Sequence, residues 1–191
     1  LRVFESGENS DVTFIVEEER VRAHRFVLLA RSPVLTSLCA DADADIEISE
    51  VSPAVFKEVV RFTYCDELSS PDVLSTADNT RALLKAADRF GVTRLKQLAE
   101  IELAARHLTV ESDADLLLLA DAHSCPQLKE SAIELISPRL AEVMATEGWA
   151  RLAQSAPTLN ELMGVVAKRA APERDDSDSD RVKRLRVSEL R

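Results

Sequence analysis

Glycine is scarce in this chain, 4 residues in 191, and aromatic residues make up only 4%. So few glycines leave no glycine-rich loop to cradle a phosphate or a dinucleotide, and they argue against a fold of many tight β-turns. No cofactor is expected. Cysteine is sparse and odd in number: Cys39, Cys65 and Cys125. None sits at metal-ligand spacing from another, so the chain reads as reduced and intracellular with free thiols. His123 and Cys125 are two apart, but two further ligands are missing for a metal site. No apolar run approaches the ~18 residues of a membrane span, and no secretory leader is visible. No paired-carboxylate, Cys–His or Ser–His arrangement stands in a recognisable catalytic context, so an enzyme is not expected. A start at Leu1, not Met, is expected of a piece of a longer protein.

Hydrophobic residues reach 46% and charged residues 30%, an ordinary globular balance. Leu and Ala dominate, which favours helices. The net charge is −10, and residues 181–191 contribute +4 from five Lys/Arg against one Glu, so the remainder carries −14. Such a surface repels a phosphate backbone, and no nucleic-acid partner is expected.

Residues 12–16, VTFIV, have strand composition. Alternation resumes at Arg20–Ala23 after Glu17–Glu19, which predicts a hairpin with an unusual turn. Apolar residues at helical spacing from His24 to Leu38 are interrupted by Ser32–Pro33, a cap followed by proline at the first helical position. Two short helices, 24–30 and 33–39, are expected. Residues 46–48 alternate as a short strand. Ser52–Pro53 opens a further helix to about residue 65, and residues 66–78 read as a loop. Helices follow at about 79–90 and 93–106, with Gly91 as the stop between them and Thr93 as the cap of the second. Thr109 is expected to open the next helix, and 126–136, 138–147 and 158–168 complete the series. From Pro172 the sequence is low-complexity and acidic, unable to bury enough apolar surface to acquire fixed structure. Strands mixed with helices, then helices alone, indicate an α+β domain followed by a small helical bundle.

Ser10–Asp11–Val12–Thr13–Phe14, then Arg22–Ala23–His24–Arg25, then Leu29–Ala30–Arg31–Ser32–Pro33–Val34 carry a resemblance to the BTB/POZ family. So do Val55–Phe56–Lys57–Glu58, Phe62–Thr63–Tyr64 and Ala86–Ala87–Asp88–Arg89–Phe90. Leu118–Leu119–Ala120–Asp121–Ala122–His123 and Glu147–Gly148–Trp149 resemble the stretch that follows the BTB domain in speckle-type POZ and plant MATH–BTB proteins. The resemblance covers about residues 5–165. It implies a BTB/POZ fold over 9–106, preceded by a dimerisation segment over 1–8. A BACK-like helical extension would then fill 107–168, ahead of a tail over 169–191.

The family's function implies a substrate adaptor of a cullin-3 type ubiquitin ligase, homodimeric through BTB, whose MATH domain would lie before Leu1 and hold the protein substrate. By the same resemblance, Leu1, Val3, Phe4, Asp11, Arg25, Phe26 and Leu29 are placed at the dimer interface. Leu35, Leu38, Tyr64 and Arg89 are placed at the cullin surface. General burial tendencies give Val27, Leu28 and Leu29 a competing core reading, and most apolar helix positions, Leu35 and Leu38 included, face inward. Asp11 can instead cap local backbone. His24 reads as a satisfied structural histidine, and Trp149 as a filler of the helical core.

One departure stands out. Relatives carry a hydrophobic–x–Glu signature after the second short helix, whereas this chain has Cys39–Ala40–Asp41–Ala42–Asp43–Ala44–Asp45. Lacking a bulky anchor, it should grip a cullin less tightly. The alternative is a BTB scaffold that recruits transcriptional regulators without a cullin. Arg181, Lys183, Arg184 and Arg186 resemble a nuclear-import signal, with Ser177 and Ser179 as candidate phosphorylation sites whose added charge would oppose it. The expected location is nucleus or cytoplasm.

Overall fold

The computed structural model describes residues 2–39 and 45–170. A short helix α1 (Arg2–Ser6) precedes strands β1 (Val12–Val16) and β2 (Glu19–Ala23), which pair antiparallel in the register Phe14↔Val21. Glu17, in the left-handed region at φ +55°, lets a glycine-free turn close the hairpin. Strand β3 (Ile46–Ile48) pairs parallel to β1, so the sheet order is β2-β1-β3. Val12, Phe14 and Val16 point into the core on alternate positions, as strand geometry requires.

Helices α2 (Arg25–Arg31) and α3 (Pro33–Cys39) meet at Ser32. Its hydroxyl donates to the Phe90 carbonyl and accepts from the Leu35 N–H at 3.0 Å. Helix α4 (Pro53–Cys65) opens as expected, with the Ser52 side chain accepting from the Val55 N–H and proline in the first turn. A single 3-10 turn, Pro71–Leu74, breaks the expected loop before α5 (Ala77–Arg89). Phe14, Phe56 and Phe90 interlock edge to face, with ring centroids 5.2 Å apart at both contacts, tying sheet to α4 and to the end of α5.

Gly91 ends that segment at φ +68°, and a Cβ there would lie 3.2 Å from Val34 Cγ2, so both conformation and close approach call for glycine.

Two expectations are corrected at the next helices. Helix α6 (Thr93–Glu102) is preceded by Val92 at the cap position, so Thr93 lies inside the first turn and is not its cap. The helix expected to run to 106 changes at Leu103–His107 into a π-helical turn. Thr109 does not open the following helix. It forms a turn with Ser112, whose hydroxyl donates to the His107 carbonyl at 2.7 Å, and α7 (Asp113–Ala122) starts after it.

The last helices are α8 (Pro126–Ile136), α9 (Leu140–Met144), α10 (Glu147–Leu152) and α11 (Ala156–Ala170). The segment expected as one helix over 138–147 is a 3-10 turn, Ser137–Arg139, followed by the short α9. Leu117, Ile136, Val143 and Leu162 build a separate core here, with Trp149 half-buried against it. A third cluster, including Leu84, Leu103, Leu116 and Leu128, joins α5 and α6 to α7 and α8. The helical half is therefore docked on the α+β half through a continuous apolar seam.

Candidate functional site

Helix α2 turns Leu28 fully inward and leaves Phe26 81% and Leu29 65% exposed. Three residues apart on one helix, these two side chains are neighbours. Val3 on α1 is 53% exposed. The core reading of Leu29 is thus corrected: in a two-turn helix the inward stripe is narrow, and Leu28 takes it, with Val27 half-buried beside it.

Phe4 is corrected in the opposite sense. The resemblance places it at the dimer interface, yet it is buried against Tyr64, ring centroids 5.0 Å apart. Leu1 lies outside the described residues.

The seat of α1 is fixed by a small polar relay. His24 Nε2 lies 2.9 Å from the Glu8 carbonyl, an acceptor only, so this nitrogen carries the proton. Nδ1 then accepts from the Tyr64 hydroxyl at 2.8 Å, and that hydroxyl accepts in turn from the His24 backbone N–H at 2.8 Å. Burial pushes the Tyr64 hydroxyl above its ordinary pKa. His24 is occupied structurally on both ring nitrogens. Asp11 Oδ1 accepts from the Arg25 backbone N–H at 2.8 Å, supplying the α2 N-terminus with the cap that His24 does not provide.

On α3, Leu38 is 41% exposed and Val34 stands beside it at the surface, but Leu35 is fully buried and offers nothing to a partner. Two of the other residues expected at the cullin surface are engaged within the chain. Tyr64 is taken up by His24 and Phe4, and the Arg89 guanidinium donates to the Ser49 carbonyl while lying 5.1 Å over the Phe90 ring. Leu38 alone of the four presents an apolar surface on α3. Residues 40–44, where the family signature would lie, fall outside the described residues.

A feature the sequence reading missed adjoins α3. Asp66, in the left-handed region at the end of α4, binds Arg31 of α2 and, at 3.3 Å, Arg94 of α6. The Arg31 hydrogen bond, with both positive charges, holds the Asp66 carboxyl below its usual range. Next to this joint lies an open groove of about 700 Å³ between the end of α4 and α6, floored by Phe62, Leu68 and Leu74. Leu98 and Ile101 form its α6 wall, and Ile101 is 54% exposed.

The seam between the halves depends on two carboxylates that the sequence reading also missed. Buried Glu100 accepts the N–H groups of Gln127 at 2.7 Å and Leu128 at 3.1 Å, capping α8 from 27 residues away. Asp88 binds Lys96 at 2.7 Å and His123 Nδ1 at 2.8 Å. His123 is engaged there, and Cys125 is buried, its thiol pushed up to about 11 by that burial. No group of three or more metal-ligating side chains converges among the described residues. Nor is any described helix long and apolar enough to cross a membrane. Arg181, Lys183, Arg184, Arg186 and the Ser177–Ser179 pair lie outside the described residues.

Comparison with known proteins gives these surfaces a context. The BTB/POZ domain model matches residues 2–107, and the BPM/SPOP BACK domain model matches residues 113–163. An Arabidopsis thaliana relative, BTB/POZ and MATH domain-containing protein 4, is 35% identical over 181 aligned positions that cover 86% of this chain and 39% of the relative. The chain thus spans well under half the length of that protein. Among solved structures, the BTB domain of zebrafish PATZ1 is similar at 23% identity and a TM-score of 0.46, over 52% of this chain and 80% of that one. The chain belongs to the BTB/POZ family, and a BACK domain of the BPM/SPOP type follows its BTB domain.

Proposed function

We propose that this chain is the self-associating and scaffold-holding part of a substrate adaptor for a cullin-3 type ubiquitin ligase. The observation that carries self-association is the pair Phe26 and Leu29, two large apolar side chains held outward on a short, well-anchored helix. Burying each is worth roughly 1.5–3 kcal/mol, and a two-fold contact buries each pair twice. Val3, on the α1 segment locked by the Phe4–Tyr64–His24 contacts, extends the expected interface. A BPM/SPOP-type BACK domain behind a BTB domain supports the cullin reading. Val34 and Leu38 on α3, joined to α6 through Gly91 and the Arg31–Asp66–Arg94 bridge, supply its proposed seat. The boundaries proposed are 1–8, 9–106, 107–168 and 169–191. A protein substrate would be held by a MATH domain outside these residues, as the relative's name carries one.

Phe26→Asp combined with Leu29→Asp is expected to convert a dimer into a monomer by light scattering, with the circular dichroism spectrum unchanged because both side chains are exposed. An unchanged mass would remove this interface. For the scaffold, Leu38→Glu is expected to weaken capture of a cullin-3 N-terminal domain. The alanine–aspartate stretch at 40–45 favours the second reading, a BTB scaffold for transcriptional regulators. That reading prevails if the unmodified chain forms no cullin complex at about 10 μM, the concentration at which a weak specific contact is still detected. The basic cluster Arg181, Lys183, Arg184 and Arg186 is proposed to act in nuclear import, and Lys183→Ala with Arg184→Ala should shift the chain to the cytoplasm.

A further inference from the structure

Four serines in the chain stand immediately before proline: Ser32, Ser52, Ser70 and Ser137. The dipeptide is the same in each, so it does not rank them as acceptors for a kinase that demands proline after the acceptor. The fold does. Ser32 is fully buried, and its hydroxyl donates to the Phe90 carbonyl. The Ser137 hydroxyl donates to the Ile133 carbonyl at 2.6 Å, from helical backbone. The Ser70 hydroxyl donates to the Asp72 carboxylate at 3.2 Å, so a phosphate there would face a like charge.

Ser52 differs in each respect. It is exposed, and its backbone is extended at φ −73°, ψ 150°, the form that proline favours in the residue before it and in which a peptide crosses a kinase cleft. Its hydroxyl accepts from the Val55 N–H at 3.5 Å but donates to no group among the described residues, so its proton is available for transfer. It also shares a groove with three cations. We infer that Ser52 is a phosphorylation site of a proline-directed kinase, and that its phosphate is clasped by Lys85 and Arg89 on α5.

An open groove of about 680 Å³ runs between the β3–α4 connection and α5, and Ser52, Arg81, Lys85 and Arg89 all line it. The three cations repeat at four-residue spacing on one face of α5. Their partners within the chain leave positive charge over. Arg81 is paired with Asp78 at 3.4 Å. The Arg89 guanidinium donates to the Ser49 carbonyl, an uncharged acceptor three residues before Ser52. Lys85 is exposed and in no ion pair or hydrogen bond among the described residues. Of the remaining polar lining, Glu50 is the one further acid, and His123 is bound to Asp88. Three cations against Glu50 and Asp78 leave the groove net positive in a chain of net charge −10. A phosphoserine dianion at its edge takes up that excess in charge-assisted hydrogen bonds.

The phosphoryl donor is ATP. The bond from its γ-phosphorus to the β,γ-bridging oxygen breaks, a bond from that phosphorus to Ser52 Oγ forms, the hydroxyl proton passes to a base of the kinase, and ADP leaves. The phosphate then ties the connection into α4 to the cationic face of α5. None of this rests on the adaptor reading.

The full folded chain, incubated with a MAP-kinase-type enzyme and magnesium ATP and mapped by peptide mass spectrometry, tests the site. The expected result is a phosphate at Ser52, with Ser32, Ser70 and Ser137 unmodified, and its loss in Ser52→Ala. No incorporation, incorporation only after the chain is unfolded, or modification of another of the four with Ser52 untouched overturns the site. Phosphorus NMR of the phosphorylated chain tests the clasp. The second ionisation of the phosphoserine is expected below its ordinary value of about 6. It is expected to move back toward that value in Lys85→Glu and, separately, in Arg89→Gln, both at exposed positions. A midpoint that neither variant moves overturns the clasp.

Discussion

The two halves of the molecule bury their interiors with different materials. All six phenylalanines and the single tyrosine lie at or before position 90, whereas the helical half has one large aromatic, Trp149. In the first half, three interlocked rings bind sheet, α4 and α5 into one unit, and the polar groups near them are spoken for: His24 on both nitrogens, Ser32 by Phe90 and Leu35. The second half packs Leu, Ile, Ala and Val, and it encloses Asp113 completely with neither carboxyl oxygen hydrogen-bonded among the described residues. Burial, opposed by the charge of Arg139, pushes this carboxyl up to about 7. Glu100, at the seam, shows the other fate of a buried carboxylate: it caps two N–H groups of α8 and so binds one half to the other. The α+β half is the more completely satisfied platform, and the helical half hangs on it through a few polar bonds and one apolar seam.

The sharpest way to break that contrast is to remove the central ring. Phe56→Ala is expected to cost about 3–5 kcal/mol, the usual price of deleting a buried aromatic, and to unfold both halves together in a denaturant titration. If only the α+β signal shifts, the halves are not coupled through the seam.

Glu100→Ala strands the buried Leu128 N–H and the part-buried Gln127 N–H and is expected to cost about 1–3 kcal/mol. Here the comparison predicts a localised effect: faster hydrogen exchange at 126–136 with the β1–β2 amides unchanged. Uniform loss of protection would place Glu100 in a single undivided core.

The smallest effect is set by pH. Between the ordinary carboxyl value of about 3.9 and about 7, folded Asp113 keeps a proton that the unfolded chain has released. Stability contributed by that group therefore falls as pH rises through this window. Asp113→Asn is expected to flatten the dependence and to gain about 1–2 kcal/mol at pH 8, a fraction of the cost of an uncompensated buried charge. Asp115 and Asp121 behave oppositely. Hydrogen bonds from Arg151, and from Lys129 and Thr158, hold their carboxyls low. Their contributions are intact at neutral pH and are lost as pH falls below about 4. A wild-type stability maximum between about pH 4 and 6, moved upward by Asp113→Asn, checks both signs at once.

Local chemistry made most of the element order legible. Ser52–Pro53 and Pro126 start helices where the proline and cap signals put them, Gly91 stops one, and the β-branched and aromatic composition of VTFIV marks the strand. What failed was facing in the short helices. Two turns of α2 or α3 hold too few apolar positions for periodicity to say which points inward, so core and surface readings both stand for Leu29 and for Leu35 in the sequence, and the structure turns the first outward and the second inward. The Glu100 cap joins residues 27 apart, and the Arg31–Asp66–Arg94 bridge joins three separate helices, so neither leaves a local trace. The π turn at Leu103–His107 also ends on a long-range contact, His107 Nε2 donating to the Leu74 carbonyl at 3.1 Å, which local sequence does not signal.

The adaptor role is tested most directly by one mass. Purified chain is mixed with the N-terminal domain of a cullin-3 type scaffold, and the complex is weighed by light scattering behind size-exclusion chromatography. The expected result is two chains carrying two scaffold domains. A chain that elutes without bound scaffold contradicts the cullin assignment, and a complex of one chain with one domain contradicts the Phe26–Leu29 dimer.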